Sequence, residues 1–203
     1  MRQEVLALAA AEKRRPTWEI ALVYPDQGGW TIEEYLDLDI GRHVDFEDGH
    51  LEFHPMPNRR HQRILLFLLR AIDAFAERHG GQALMAPFPV ELWPEKFRQP
   101  DVVYMKAEHS HRCHEEYWRG ADLVMEIVSE SNRRTDTKTK RAEYAKARIP
   151  EFWLVDPKTG TITVLVLKGG KYEAHGTFAR KQVAASRLLS GFTVDVAAAL
   201  SAR

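Results

Sequence analysis

The chain has almost no cysteine and no net charge, and each absence excludes a class of protein. Cys113 is the only cysteine among 203 residues, so an internal disulfide is excluded and a reducing, cytoplasmic compartment is expected. Lysine plus arginine and aspartate plus glutamate both number 29, which excludes attraction to a polyanion through overall charge. Any affinity for nucleic acid must therefore come from a local basic patch or a bound cation.

Long hydrophobic runs are also missing. No apolar segment approaches the ~20 residues of a membrane-spanning helix, so no membrane association is expected. The apolar stretch at residues 5–11 precedes basic residues, which is the wrong order for a signal peptide. Hydrophobic residues make up 44% and charged residues 29% of the chain, which is typical of a globular protein. We expect an N-terminal extension at 1–29, one domain at 30–193 and a C-terminal tail at 194–203.

The first half of the domain alternates short strands and helices. Thr31 and Glu34 form a capping-box pattern that predicts a short helix. Residues 43–46 and 51–53 flank a glycine-containing turn, which predicts an N-terminal β-hairpin. Apolar residues at helical spacing in 58–79 predict a long core helix that begins after Asn58.

The second half predicts a sheet with a further helix. Strands are expected at 82–85 leading into 87–92, at 101–105, at 123–128 and at 152–155, with Phe152 and Trp153 in the core. Residues 135–148 predict the second helix, and glycine-containing turns at 156–160 and 168–171 predict a C-terminal β-meander. The pattern indicates an α/β protein with a mixed β-sheet flanked by helices.

Glu126 is the main anomaly in this pattern. It lies inside the apolar run 123–128, where a carboxylate is costly unless it is paired or binds a metal. Asp101 opens the apolar run 101–105, and if the two runs are neighbouring strands, both acids can face one cavity. Carboxylate oxygens are ligands that Mg²⁺ prefers. Lys140 shares one helix face with Asp136 and Tyr144, and this helix follows the Glu126 strand directly.

Several segments together carry a resemblance to a known family. These segments are Pro100–Tyr104, residues 123–132, Lys140–Tyr144 and residues 149–157. They resemble a large bacterial family described as "putative restriction endonucleases", formerly a domain of unknown function, within the PD-(D/E)xK nuclease superfamily. The resemblance covers roughly Trp30 to Thr193 and implies a restriction-endonuclease-like core.

The resemblance also implies a mechanism and a substrate. Asp101 and Glu126, with the Ile127 carbonyl, would bind Mg²⁺ or Mn²⁺, and the metal would activate water for hydrolysis of DNA phosphodiester bonds. The superfamily lysine would fall at Val128 and is absent, and Lys140 is the matching position on the following helix. Lys140 would stabilise the charge that develops on the phosphate, while Ser129 and Asp136 would orient these groups.

Each assignment has a plainer alternative. Glu126 would also fit a buried salt bridge without catalysis, and Lys140 would also fit an exposed helix lysine. Asp45 and Glu52 are additional candidate ligands or else exposed acids of the hairpin. His61, at the start of the long helix, faces the cleft or else caps the helix or lies on the surface.

Basic residues near the two helix starts form a candidate DNA-binding rim or else a solvated, charge-balanced face. They are Arg59, Arg60, Arg63, Arg133, Arg134 and Lys138. The resemblance and the extra strand edges of the meander suggest a homodimer. The neutral charge and the missing lysine leave open a second function, a non-catalytic nucleic-acid-binding or assembly module.

A cluster of histidine and cysteine offers a third possibility. His109, His111, Cys113 and His114 are all zinc-ligand types, but structural zinc sites usually take ligands in two separated pairs. We therefore expect a polar loop between strands rather than a zinc site.

Overall fold

A computed structural model of the chain describes residues 24–38, 42–130 and 133–202. Its helices are α1 (Ile32–Leu36), α2 (Arg59–His79), α3 (Lys140–Lys146) and α4 (Val196–Leu200), with a 3-10 helix at Ala107–Arg112. The strands are β1 (Val44–Glu47), β2 (His50–Phe53), β3 (Gln82–Met85), β4 (Val90–Trp93), β5 (Lys96–Arg98), β6 (Val102–Met105), β7 (Trp118–Arg119), β8 (Leu123–Ile127), β9 (Glu151–Asp156), β10 (Thr161–Lys168), β11 (Lys171–Ala179), β12 (Val183–Ala185) and β13 (Thr193–Asp195).

A six-stranded mixed sheet forms the centre of the fold. Its strand order is β11-β10-β9-β8-β6-β3, in which β8 and β9 are parallel and the other neighbours are antiparallel. Strand β8 is buried along its whole length, as its continuous apolar run predicted. Phe152 and Trp153 on β9 are fully buried, which confirms their assignment to the core. The predicted α/β class with a mixed sheet and a C-terminal meander is confirmed.

Helix α2 covers one face of this sheet. The Asn58 side chain accepts a hydrogen bond from the His61 N–H, a cap that typically stabilises a helix by about 1 kcal/mol, and the helix ends at Gly80. The buried side chains of the helix recur at helical spacing, and they pack on Leu123, Met125 and Ile127 of β8. The alternate residue Val124 points to the opposite face.

The second helix differs from its prediction. Residues 135–148 do not form one α-helix, because Thr135–Thr139 form a π-helical turn and only Lys140–Lys146 are α-helical. Arg148 adopts a positive φ of 61°, which is incompatible with continuation of the helix. The predicted common face is confirmed, since Asp136, Lys140 and Tyr144 are all buried. Strand β4 also begins later than predicted, at Val90 rather than residue 87.

The N-terminal hairpin belongs to a second, five-stranded sheet. Its order is β2-β1-β5-β4-β7, and the short strands β5 and β7 were not predicted from the sequence. Helix α1 has the predicted capping box, and it packs Tyr35 against Phe46 and Phe97. This small core holds β1 and β5 together, so that residues of the hairpin face the central sheet.

The C-terminal segment returns to the face covered by α2. Strands β12 and β13 pair in a separate ribbon, and α4 follows directly with an Asp195 cap. Val196, Ala199 and Leu200 are buried in the same core as the inner face of α2. In the described part of the chain, no helix combines the length and apolar character that crossing a membrane requires.

Candidate active site

Asp101 directly precedes β6, and Glu126 lies on the neighbouring strand β8. Strands β6 and β8 are antiparallel with Val102 opposite Met125 and Val103 opposite Val124. One residue beyond the paired residues of this register, Asp101 falls opposite Glu126. Both residues line one cavity. The two acids therefore face the same space, as their positions in two apolar runs suggested.

Glu126 is held by two groups from helix α3. The side chain is 2% exposed. Lys140 Nζ donates to Glu126 Oε2 at 2.8 Å, and the Tyr144 hydroxyl donates to Oε1. Burial raises the pKa of the Glu126 carboxyl, and the negative charges of Asp101 and Asp136 add to this effect against the opposing charge of Lys140.

Asp101 is oriented by the backbone of β8 and by a histidine of α2. The Ile127 N–H donates to Asp101 Oδ2 at 2.7 Å, and His61 Nε2 lies 3.2 Å from the same oxygen. Burial opposes ionisation, but His61, Lys140 and the Ile127 N–H together lower the pKa of Asp101. His61 is thus at the cleft, and its pKa is raised because Asp101 and the nearby acids outweigh its burial.

Asp136 connects the end of β8 to Lys140. Its Oδ2 accepts from the Ser129 N–H at 3.2 Å, and its Oδ1 lies 3.4 Å from Lys140 Nζ. Lys140 is only 3% exposed, so its alternative interpretation as an exposed helix lysine is wrong. The ammonium lies instead between two buried carboxylates, and this holds it at the floor of the cavity.

The donor set of this site fits a hard divalent cation. Asp101, Glu126 and Asp136 are buried carboxylates that line one cavity with Lys140 and His61. Among residues 24–38, 42–130 and 133–202, no group donates a hydrogen bond to Asp101 Oδ1. Carboxylate oxygens with excess negative charge are the environment in which Mg²⁺ or Mn²⁺ binds. Asp101 and Glu126 are the residues that would hold the ion.

The cavity has a volume of about 790 Å³. It is lined by the site residues together with the start of α2 and the turn after β9. Its polar and charged lining residues include His43, His54, Arg60, His61, Asp101, Glu126, Ser129, Glu130, Asp136, Lys140 and Lys158. Val128, at the position where the superfamily lysine would lie, also lines the cavity and supplies no charge.

Asp45 is buried, contrary to its interpretation as an exposed hairpin acid. It is 1% exposed, and its Oδ2 accepts from His54 Nε2 at 2.6 Å and from the Arg98 guanidinium at 2.7 Å. Burial opposes ionisation, but the neighbouring histidines and Arg98 hold the pKa of Asp45 well below its usual range. Glu52 is exposed as expected and pairs with Arg98 at 2.8 Å. Neither acid lines the cavity.

The predicted basic rim is only partly assembled. Arg60 lies at the cavity and donates to the Pro157 carbonyl, whereas Arg133 is paired through both terminal nitrogens with Asp156. The remaining four basic residues do not line the cavity: Arg59, Arg63, Arg134 and Lys138. Lys158, in the turn after β9, does line it and was missed, because a lysine in a turn carries no sequence signal beyond exposure.

The loop that contains the candidate zinc ligands His109, His111, Cys113 and His114 is held by contacts that do not require a metal. His109 Nδ1 bonds to the Asp122 carboxylate at 2.8 Å, and Cys113 pairs through its backbone with Trp118. Within the described ranges, the donor atoms of His109, His111, Cys113 and His114 do not converge, whereas one donor atom from each of His43, Asp45 and His54 lies within 4.8 Å of the other two. His43 was not singled out from the sequence, although its spacing two residues before Asp45 in a strand was a usable signal.

Comparisons with known proteins agree with this fold. The model of the Uma2 family, described as "Putative restriction endonuclease", matches residues 32–197. A crystal structure of a "putative nuclease belonging to DUF820" from Anabaena variabilis is similar over 85% of this chain and 98% of its own, with a TM-score of 0.68 at 17% sequence identity. At that identity the likeness shows a shared fold. None of the curated proteins matches the chain.

The family match extends from the first described helix to the last, and it includes Asp101 and Glu126. The resemblance inferred from short motifs is thereby confirmed over most of the chain. The protein belongs to the Uma2 family.

Proposed function

We propose that the protein is a divalent-metal-dependent nuclease that hydrolyses DNA phosphodiester bonds. The observation that carries the proposal is that Asp101, directly before β6, and Glu126, on the adjacent strand β8, line one cavity, with Lys140 Nζ 2.8 Å from Glu126 Oε2. The family description and the nuclease-like fold point to the same reaction class.

The residues of the site have different roles: some would bind the cation, and others position the side chains around it. Asp101 and Glu126 would bind the cation, with the Ile127 carbonyl as a further ligand. When bound, the cation supplies Lewis acidity to a phosphoryl oxygen and lowers the pKa of a coordinated water. Lys140 places a positive charge where the phosphate gains negative charge in the transition state. Tyr144, Asp136 and Ser129 hold Glu126 and Lys140 in place.

The test is a cleavage assay with the purified full-length chain. We expect nicking or degradation of plasmid or single-stranded DNA with Mg²⁺ or Mn²⁺, and no cleavage after metal removal with a chelator. Activity should return when the metal is restored. RNA and double-stranded DNA of matched sequence form parallel arms, so that the preferred nucleic acid is measured in the same experiment.

The opposite outcome would support the second function. If the folded protein binds DNA but cleaves none of these substrates with either ion, the nuclease proposal is wrong. The buried Lys140–Glu126 pair would then be a structural ion pair of a binding module, which is how such pairs act in many folds.

Arg60 and Lys158 are predicted to contact phosphates at the cavity mouth. Replacing either by alanine should weaken DNA binding and reduce the slope of log affinity against log salt by about 1, because one phosphate contact is lost. Fluorescence anisotropy over a salt series measures both effects. Arg70→Ala is the matched control, since Arg70 is an exposed arginine of α2 outside the cavity. An unchanged slope in Arg60→Ala and Lys158→Ala would remove both residues from the DNA interface.

A further inference from the structure

A second group of metal-ligand side chains lies at the open end of the β1–β2 hairpin. In the hairpin register Val44 is opposite Phe53, so the next pair outward is His43 opposite His54. The backbone agrees, since the His54 N–H donates to the His43 carbonyl at 3.0 Å. Asp45 follows His43 by two residues, which places all three side chains on the same face.

The donor atoms of these side chains converge. One donor atom from each of His43, Asp45 and His54 lies within 4.8 Å of the other two. His43 Nε2 is 3.7 Å from Asp45 Oδ1, and two ligands of a tetrahedral zinc ion are about 3.3 Å apart for metal–ligand bonds of ~2.0–2.1 Å. His54 Nε2 is 2.6 Å from Asp45 Oδ2, where a metal ion would replace the shared proton.

The ring of His43 packs on the ring of His54, with their centroids 4.5 Å apart, and lies beside Asp45. Its Nε2 atom is buried and forms no hydrogen bond to any residue that the structure describes. A buried ring nitrogen without a partner is uncommon in a folded protein. A metal ion between the three side chains would satisfy it.

Asp45 is already oriented in the manner of a ligating carboxylate. The Gln99 N–H donates to its Oδ1 at 2.8 Å, and Arg98 donates to its Oδ2. The charge of Arg98 is in turn balanced by Glu143, which accepts two of its hydrogen bonds, and by Glu52. Such outer hydrogen bonds orient metal ligands and typically accompany metal sites.

We propose that His43, Asp45 and His54 form a binding site for a divalent transition-metal ion of the zinc class. Two imidazoles and one carboxylate suit Zn²⁺, Co²⁺ or Ni²⁺ better than Mg²⁺, which prefers oxygen ligands. Three protein ligands leave a coordination position open, and His43 and His54 line the cavity that also contains Asp101 and Glu126. The site does not depend on the proposed nuclease function, because its ligands are separate from those of the hard-cation site.

The test is metal binding by the full-length protein, measured by calorimetric titration with Zn²⁺ and by the absorption spectrum of added Co²⁺. We expect one Zn²⁺ per chain at this site, with affinity lowered about 100-fold or more in His43→Ala and in His54→Ala, since loss of an outer-shell partner alone costs 10–100-fold. His175→Ala and Cys113→Ser are matched controls and should bind as the wild type does. Glu126→Gln should also keep this Zn²⁺, which separates the site from the proposed catalytic one.

Three results would overturn the proposal. They are no Zn²⁺ binding by the folded wild type, unchanged binding in His43→Ala, and loss of binding in Glu126→Gln with the histidine variants unaffected. Circular dichroism checks the fold of each variant. If His43→Ala does not fold, His43→Gln retains a polar side chain of similar reach and is judged by the same affinity criterion.

Discussion

Glu126→Gln is expected to reduce DNA cleavage by ~10³-fold, because removal of the ligand charge loosens the cation at the point where transition-state charge is stabilised. Glutamine has the shape of glutamate and can still accept from Tyr144, so the strand and the helix should keep their packing. Asp101→Asn is expected to act in the same direction. Single-turnover cleavage at saturating Mg²⁺ measures the loss, and calorimetric Mg²⁺ titration measures the weakened binding.

The control for this loss is Glu173→Gln, which replaces an exposed glutamate of β11 that pairs with Lys168 at the surface. It should cleave at the wild-type rate. If Glu126→Gln cleaves DNA within a few fold of the wild-type rate, the reaction takes place at a site that does not include Glu126. Thermal unfolding of each variant separates lost chemistry from lost fold.

The two acids of the site could be predicted because the sequence marks them locally. Glu126 interrupts an apolar run, and burial of a carboxylate without compensation is costly. Asp101 begins the neighbouring run, so pairing of the two strands was sufficient to bring the acids together. Strong periodicity and a misplaced charge are both short-range signals, and the structure agrees with them.

The network around Asp45 could not be predicted for the opposite reason. Arg98 is buried, yet it lies in the short strand Lys96–Arg98, whose two basic residues resemble a surface loop. Its burial depends on carboxylates from distant segments, Asp45 on the hairpin and Glu143 on α3. When a buried charge is compensated only by residues distant in sequence, its burial cannot be predicted from the local sequence.

The π-helical turn before α3 is a further feature without a sequence signal. A continuous helix was predicted over 135–148, but the turn at Thr135–Thr139 holds one more residue than an α-helical turn would. It precedes Lys140 directly, and it places Asp136 where its carboxylate reaches both Lys140 and the Ser129 N–H. Turns of this kind are frequent at functional sites.

Lys140→Met is predicted to affect both catalysis and folding. Cleavage should fall about 10²–10³-fold, because the positive charge that faces the phosphate is removed. Removing one partner of a buried ion pair also typically destabilises a protein by about 3–5 kcal/mol. Burial already raises the pKa of Glu126, and loss of Lys140 should raise it further. The loss of folding stability is therefore largest at high pH, where Glu126 is ionised. It becomes smaller as the pH falls through the raised folded-state pKa of Glu126.

Urea unfolding of Lys140→Met across a pH series, beside single-turnover cleavage, measures the two effects separately. Lys171→Met is the matched control, since Lys171 is exposed at the start of β11 and should change neither quantity. Lys140→Arg keeps the charge and should retain more stability than Lys140→Met. If Lys140→Met is destabilised but cleaves at the wild-type rate, Lys140 is a structural partner of Glu126 and not the replacement for the lysine that is absent at Val128, because only a catalytic role requires its charge during the reaction.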